Sequence, residues 1–108
     1  DNQEIFRFFL ESAGAKVTLA GTGLEALEKT KKNNFDLILM DIQIPELDGK
    51  ETTKLLRKRG WKKPIVALTA HGLIEERNSV IAAGCDGQIT KPVTGDQLVH
   101  HVLNVLNT

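Results

Sequence analysis

The sequence has a single cysteine, Cys85, which excludes an intrachain disulfide and a cysteine-built zinc site. It also lacks a charge of either sign in excess, since Lys+Arg and Asp+Glu stand at 14 each. No global pull toward nucleic acid or an anionic membrane surface results, so the expected partner is a protein. No apolar run approaches the ~20 residues of a membrane span, and the first residues lack the charged-then-apolar layout of a secretory leader. A cytoplasmic location is the matching expectation. No repeat, linker or low-complexity segment interrupts the 108 residues, a length that suits one domain with one core.

What is present is an alternation of two periodicities. Residues 2–14 carry Ile5, Phe6, Phe9, Leu10 and Ala13 at helical spacing, with Gly14 as a stop and Phe8 pointing away from that stripe. Lys16 to Ala20 alternates with period two and reads as a half-buried strand. A helix over 22–32 comes next, with Leu24 and Leu27 on one face and Thr22 and Glu25 in a capping-box pattern. The runs from Phe35 to Met40 and from Ile65 to Thr69 are almost wholly apolar, as in parallel strands covered on both faces. Between them the spacing predicts a helix from Asp48 or Gly49 to Arg59, with Leu55 and Leu56 facing in. Further helices are predicted over 73–83, bearing Ile74, Val80, Ile81 and Ala82, and from Thr94 onward, bearing Leu98, Val102, Val105 and Leu106. Gly87 to Thr90 supplies the last strand. The order is one helix and then four strand-helix units, which predicts an α/β domain with a doubly wound parallel sheet.

Three polar residues mark the ends of the apolar runs. Asp41 ends Leu37-Ile38-Leu39-Met40, Thr69 ends Ile65-Val66-Ala67-Leu68, and Lys91 comes directly after Gly87-Gln88-Ile89-Thr90. Open α/β sheets place their chemistry at the carboxyl ends of their strands. An acid, a hydroxyl and an ammonium converging there suit a phosphoryl group. Taken singly, Asp41 reads as a loop or cap residue, Thr69 as a helix N-cap and Lys91 as a solvated lysine before a turn; their joint placement is the signal. Cys85 reads as a packing residue, and Trp61 as a cover on the sheet edge or loop. His100 and His101 are adjacent on a helix and cannot share a face to hold a metal. His71 lies two residues beyond Thr69 and reads equally as a solvent-exposed loop histidine.

The stretches Asn2-Gln3-Glu4-Ile5, Asp41 to Gly49, Ala67-Leu68-Thr69-Ala70-His71, Ala82-Ala83-Gly84 and Thr90-Lys91-Pro92 resemble the receiver domain of two-component response regulators. The wording is most like receivers of hybrid sensor histidine kinases. The resemblance covers the whole chain and implies a flavodoxin-like receiver fold, residues 1–108 forming a single receiver domain. It implies that Asp41 is a phosphoacceptor taking a phosphoryl group from a phosphohistidine-bearing kinase or histidine phosphotransfer protein, with onward relay to such a partner. Thr69 and Lys91 then contact the phosphoryl group, as does the backbone amide of Ala70. The implied ion is magnesium, held by Asp41 and the backbone carbonyl of Gln43. The domain assists its own phosphorylation and is not otherwise an enzyme, although its parent can be a hybrid histidine kinase.

The chain departs from that family in three places. The strand expected before the first helix is missing, and with it the adjacent acidic pair that binds the metal. Four buried apolar side chains at ~1.5–3 kcal/mol each make that strand worth ~6–12 kcal/mol. Upstream residues, a strand exchanged or paired edge to edge in a dimer, or an inward shift of Lys16 to Ala20 are the remedies expected. Gln88 stands where receivers commonly carry an aromatic readout residue, which favours relay over a transcriptional switch. The alternative reading is a degenerate or truncated receiver that works as a phosphorylation-independent interaction or dimerisation module. A phosphatase resembling haloacid dehalogenases would need an acid at position 43, where this chain has Gln43. A flavodoxin-type flavin domain leaves Asp41, Thr69 and Lys91 without a role.

Overall fold

The computed structural model describes residues 2–42, 48–70 and 74–107. Two compact units are present, one of residues 20–91 and one of residues 1–19 with 92–108. The first holds α2 (Gly23–Lys32), β1 (Ile38–Asp41), α3 (Gly49–Lys58), β2 (Ile65–Thr69), α4 (Ile74–Ala83) and β3 (Gly87–Thr90). The second holds α1 (Asn2–Ser12) and α5 (Gly95–Leu106).

The three strands form one parallel sheet in the order β1-β2-β3. Asp41 is in register with Leu68, and Thr69 with Thr90. β2 is buried at every position, as expected for the central strand of a parallel sheet with apolar residues on both faces. On one face Met40, Ile65 and Ala67 pack with Leu56 of α3, Val80 of α4 and Cys85, flanked by Leu27, Ile38 and Trp61. Cys85 is thus a packing residue. Burial raises its thiol pKa, against opposing contributions from the Thr53 hydroxyl 3.8 Å away and the Arg57 charge.

The capping chemistry is largely as the sequence implies. The Glu25 amide donates to Thr22 Oγ1 at 3.0 Å, and Glu25 Oε1 reaches back to the Gly21 amide at 2.7 Å, one residue before the cap. That amide, and after it Lys29, lowers the Glu25 pKa. Asp48 caps α3 by accepting from the Glu51 amide at 2.8 Å. Thr94 and Gln97 form a reciprocal capping box at the start of α5. Gly14, Gly60 and Gly84 come after their helices at positive φ, a conformation that costs other residues strain.

Several expectations change. Lys16 to Ala20 is not a strand, and the inward shift is not adopted: the ladder on β1 is made by β2 alone among the described residues. Alternation supplies a strand's side chains but does not set the register of a continuous ladder. Leu55, 38% exposed, turns away from the core while Leu56 is fully buried. Adjacent residues are 100° apart on a helix, so one narrow stripe cannot take both. On α4, Val80 and Ala83 are buried, whereas Ile74, Ile81 and Ala82 are exposed. Ile5, Leu24 and Leu106 are likewise exposed, as is Phe8, which the spacing had set apart.

One side chain ties the starts of β2 and β3 to the ends of α3 and α4. The Arg57 guanidinium donates to the carbonyls of Gly84 at 2.9 Å, Trp61 at 2.9 Å and Lys63 at 3.0 Å, and to Asp86 Oδ2 at 2.8 Å. The same Asp86 oxygen accepts from the Ile65 amide at 2.8 Å. The planar fork thereby joins the end of α3, the end of α4 and the start of β2. An ammonium could not serve these directions at once. Arg57→Ala is expected to destabilise the protein by ~2 kcal/mol, because charged hydrogen bonds are lost and carbonyls are left without a donor. The readout is the urea midpoint, and Arg57→Lys should recover less than half of the loss.

Candidate functional site

The carboxyl ends of the three strands bring Asp41, Thr69 and Lys91 to one place. Asp41 is the last residue of β1 and Thr69 the last of β2, while Lys91 comes directly after β3. Backbone bonds continue the ladder at this edge: the Ile42 amide donates to the Leu68 carbonyl at 3.1 Å and the Lys91 amide to the Thr69 carbonyl at 2.7 Å. The register that aligns the strands therefore also aligns the three residues.

Lys91 Nζ donates to Asp41 Oδ2 at 2.8 Å, a contact between residues fifty apart in sequence. β1 and β3 flank β2, so the two backbones stand about two strand spacings, roughly 9–10 Å, apart. A lysine is long enough to close that gap over the end of the central strand. Both side chains keep a solvent-facing part, 25% for Lys91 and 33% for Asp41. The pair is therefore reachable from outside and only partly desolvated, which keeps its contribution to stability modest.

Thr69 is 1% exposed and ends β2. Ile74, the first described residue of α4, lies five positions further on. In the register Thr69 lies one step beyond Leu68, the partner of Asp41, and beside Thr90, the residue before Lys91. Ala70 comes next and is exposed. Gln43, the other expected ligand position, and His71 lie outside the described residues, as does Leu73. His100 and His101 are exposed on α5, and His100 Nε2 lies 3.2 Å from Asn104 Nδ2.

Two features of the site were not foreseen. Gly49 comes so close to β1 that a Cβ there would lie 2.6 Å from the Asp41 carbonyl oxygen and 2.8 Å from Ile42 Cα. Its own amide donates to the Ile42 carbonyl at 3.1 Å. The Asp-Gly pair at the head of α3 is visible in the sequence as a helix start and as the end of the Asp41 to Gly49 stretch, but neither shows this close approach. Gln88 is half-buried on β3, and its Oε1 is one of two buried side-chain polar atoms without a hydrogen-bond partner among the described residues, the other being Trp61 Nε1.

The family described as the response regulator receiver domain matches residues 1–103. The chain belongs to this family. It is a receiver domain of two-component signalling systems, with the flavodoxin-like receiver fold of a parallel sheet and five helices. This receiver is 37% identical over 107 residues to the sensor histidine kinase GacS of Pseudomonas protegens, a match covering 94% of this chain and 12% of the kinase. It is 33% identical over 107 residues to the polar-differentiation response regulator DivK of Brucella ovis, covering 97% of this chain and 87% of DivK. The chain thus spans about an eighth of the GacS kinases and most of DivK.

Among solved structures, a chemotaxis response regulator of Vibrio cholerae superposes with a TM-score of 0.92 at 30% identity, covering 96% of this chain and 88% of that one. The receiver domain of a Pseudomonas aeruginosa sensor histidine kinase superposes with a TM-score of 0.89 at 32% identity, covering 99% and 89%. That structure carries a magnesium ion coordinated in its active site cleft. Among the described residues of this receiver, no helix is long and apolar enough to cross a membrane.

Proposed function

We propose that this receiver takes a phosphoryl group onto Asp41 from a phosphohistidine on a partner kinase or histidine phosphotransfer protein and passes it on to a second such protein. The observation that carries the reading is the 2.8 Å contact between Lys91 Nζ and Asp41 Oδ2 at the carboxyl edge of the sheet. A carboxylate oxygen of Asp41 forms the new O–P bond as the P–N bond to the donor imidazole breaks, and the imidazole leaves with the electron pair. Lys91 supplies positive charge where an anionic nucleophile meets an anionic phosphoryl group. Thr69 contributes its hydroxyl and Ala70 its backbone amide to the phosphoryl oxygens. The domain acts as a phosphoacceptor in the cytoplasm, as one module of a hybrid histidine kinase or of a separate regulator.

Magnesium is the ion this reading calls for, and it would neutralise phosphoryl charge when bound. Magnesium takes six oxygen ligands in near-octahedral geometry. Among the described residues, no group of three His, Cys, Asp or Glu could hold a metal ion. Asp41 is engaged by Lys91, and Asp48 caps α3. These residues alone do not make a magnesium site. That same observation favours a second reading, a receiver that binds partners without being phosphorylated and dimerises through the β1 edge.

Incubation with acetyl phosphate or a phosphohistidine donor, and then mapping of the acyl phosphate, separates the two. Label confined to Asp41 supports the phosphoacceptor. Absence of label in the intact protein supports the second reading, with dimerisation checked by sedimentation.

A further inference from the structure

The receiver is neutral overall, with 14 cationic and 14 acidic side chains, yet its cations are unevenly placed. Lys32 ends α2, Lys58 ends α3, and Arg59, Lys62 and Lys63 lie in the loop into β2. All five are exposed, and none is paired with a carboxylate among the described residues. The two segments meet in space: the Arg59 guanidinium donates to the Leu27 carbonyl at 3.3 and 3.4 Å and to Thr30 Oγ1 at 3.5 Å. Arg57 holds the far end of the loop through the Lys63 carbonyl at 3.0 Å.

Basic residues in a last helical turn complement the helix dipole, and this accounts for Lys32 and Lys58. It does not account for Arg59, Lys62 and Lys63, which lie beyond the helix. Other cations on these helices have acids to meet: Lys29 pairs with Glu25 at 3.0 Å, Lys31 lies 3.9 Å from Glu28 and Lys54 lies 3.5 Å from Glu51. Among the described residues the loop lacks such partners.

We propose that the carboxy-terminal ends of α2 and α3, with the loop into β2, form a docking surface for an acidic protein segment. Charge complementarity identifies the occupant. Five cations that have no carboxylate partner among the described residues, on two helix ends and one loop, match a short run of carboxylates in number and extent. Four of the five are lysines, mobile point charges suited to carboxylates in no fixed geometry and not to bidentate phosphate recognition. A long polyanion would also meet the balancing acids on the rest of this neutral chain, whereas nucleic-acid binders are basic overall. The surface lies at the amino-terminal ends of the strands, a strand length of roughly 13 Å from Asp41 and beyond the ~8 Å screening length of physiological salt. Docking there leaves the phosphoryl site accessible.

The test is the fluorescence anisotropy of a labelled glutamate octapeptide titrated with the intact chain at about 20 mM salt, with the emission of Trp61, the only tryptophan, as a second readout. Saturable binding is expected, weakened at least tenfold by Lys62→Glu/Lys63→Glu and by raising salt to about 150 mM. The control Lys50→Glu/Arg77→Glu changes net charge equally from the first turn of α3 and from α4, outside the surface, and should alter affinity less than threefold. Lys62→Gln/Lys63→Gln gives the same direction without charge reversal, and the urea midpoints of all variants show that they fold. Absence of saturable binding overturns the proposal, as does a control that loses as much affinity as the loop variant. Tighter binding of an oligothymidylate of the same charge, or of phosphatidylserine vesicles, overturns the choice of a protein segment.

Discussion

Asp41→Asn is expected to reduce phosphoryl labelling to background, and Lys91→Ala to slow it by about 100-fold with the fold intact. An amide has no anionic oxygen to form the O–P bond, so the first loss is complete and independent of how the donor binds. For Lys91 two effects oppose each other. Removing the ammonium releases Asp41 from its 2.8 Å ion pair, which favours attack. It also removes positive charge from a site where, at the transition state, the nucleophile and the phosphoryl oxygens are anionic together. Only an interaction stronger in the transition state than in the ground state changes the rate, and more negative charge surrounds the ammonium in the former. A factor of 100 corresponds to about 2.7 kcal/mol, within the ~4 kcal/mol available to a unit charge pair at 4 Å and an effective dielectric of 20.

Stability should respond much less. Both side chains are partly exposed, and such pairs contribute ~0–1 kcal/mol. Initial rates with acetyl phosphate, together with urea midpoints, check both expectations. Unchanged labelling of Lys91→Ala would remove the lysine from the mechanism, and full labelling of Asp41→Asn would place the acceptor elsewhere.

The site was legible because its residues stand at the ends of the apolar runs. Leu37 to Met40, Ile65 to Leu68 and Gly87 to Ile89 announce strands, and parallel strands in register must bring their carboxyl-terminal neighbours to one edge. Asp41, Thr69 and Lys91 needed no contact information beyond that. The cap Thr22 was legible for a related reason, since its partner Glu25 lies three residues away. The illegible features depend on partners distant in sequence. Arg57 is one of 14 cations until Gly84 and Asp86, far along the chain, come within hydrogen-bonding distance. Lys16 to Ala20 has a strand's alternation and is not a strand in the structure. Leu55 and Ile74 are as apolar as Leu56 and Val80, and only packing distinguishes them. Periodicity ranks the faces of a helix but does not say how wide the covered face will be.

Gly49→Ala is expected to cost ~3 kcal/mol of stability and to lower labelling at Asp41 in the molecules that remain folded. A methyl group at this position would stand 2.6 Å from the Asp41 carbonyl oxygen, 2.8 Å from Ile42 Cα and 3.1 Å from Ile42 Cδ1. Two of these are backbone atoms at the end of β1, which cannot rotate aside as a side chain can. Alanine favours helix over glycine by up to ~1 kcal/mol in a helix interior, and Gly49 is only the first residue of α3, so propensity offsets a minor part of an overpacking cost that reaches ~3 kcal/mol. The group that must yield belongs to Asp41 itself. Relief of the clash shifts the carboxylate relative to Lys91 and Thr69, and a misplacement of 1 Å at a reacting group can cost about 100-fold in rate. Gly87→Ala is the control, because a Cβ there meets nothing within 4 Å, and its midpoint should stay within ~1 kcal/mol of the parent. If both variants unfold at the same urea concentration and label at the same rate, the close approach of α3 to the strand end does not position the acceptor.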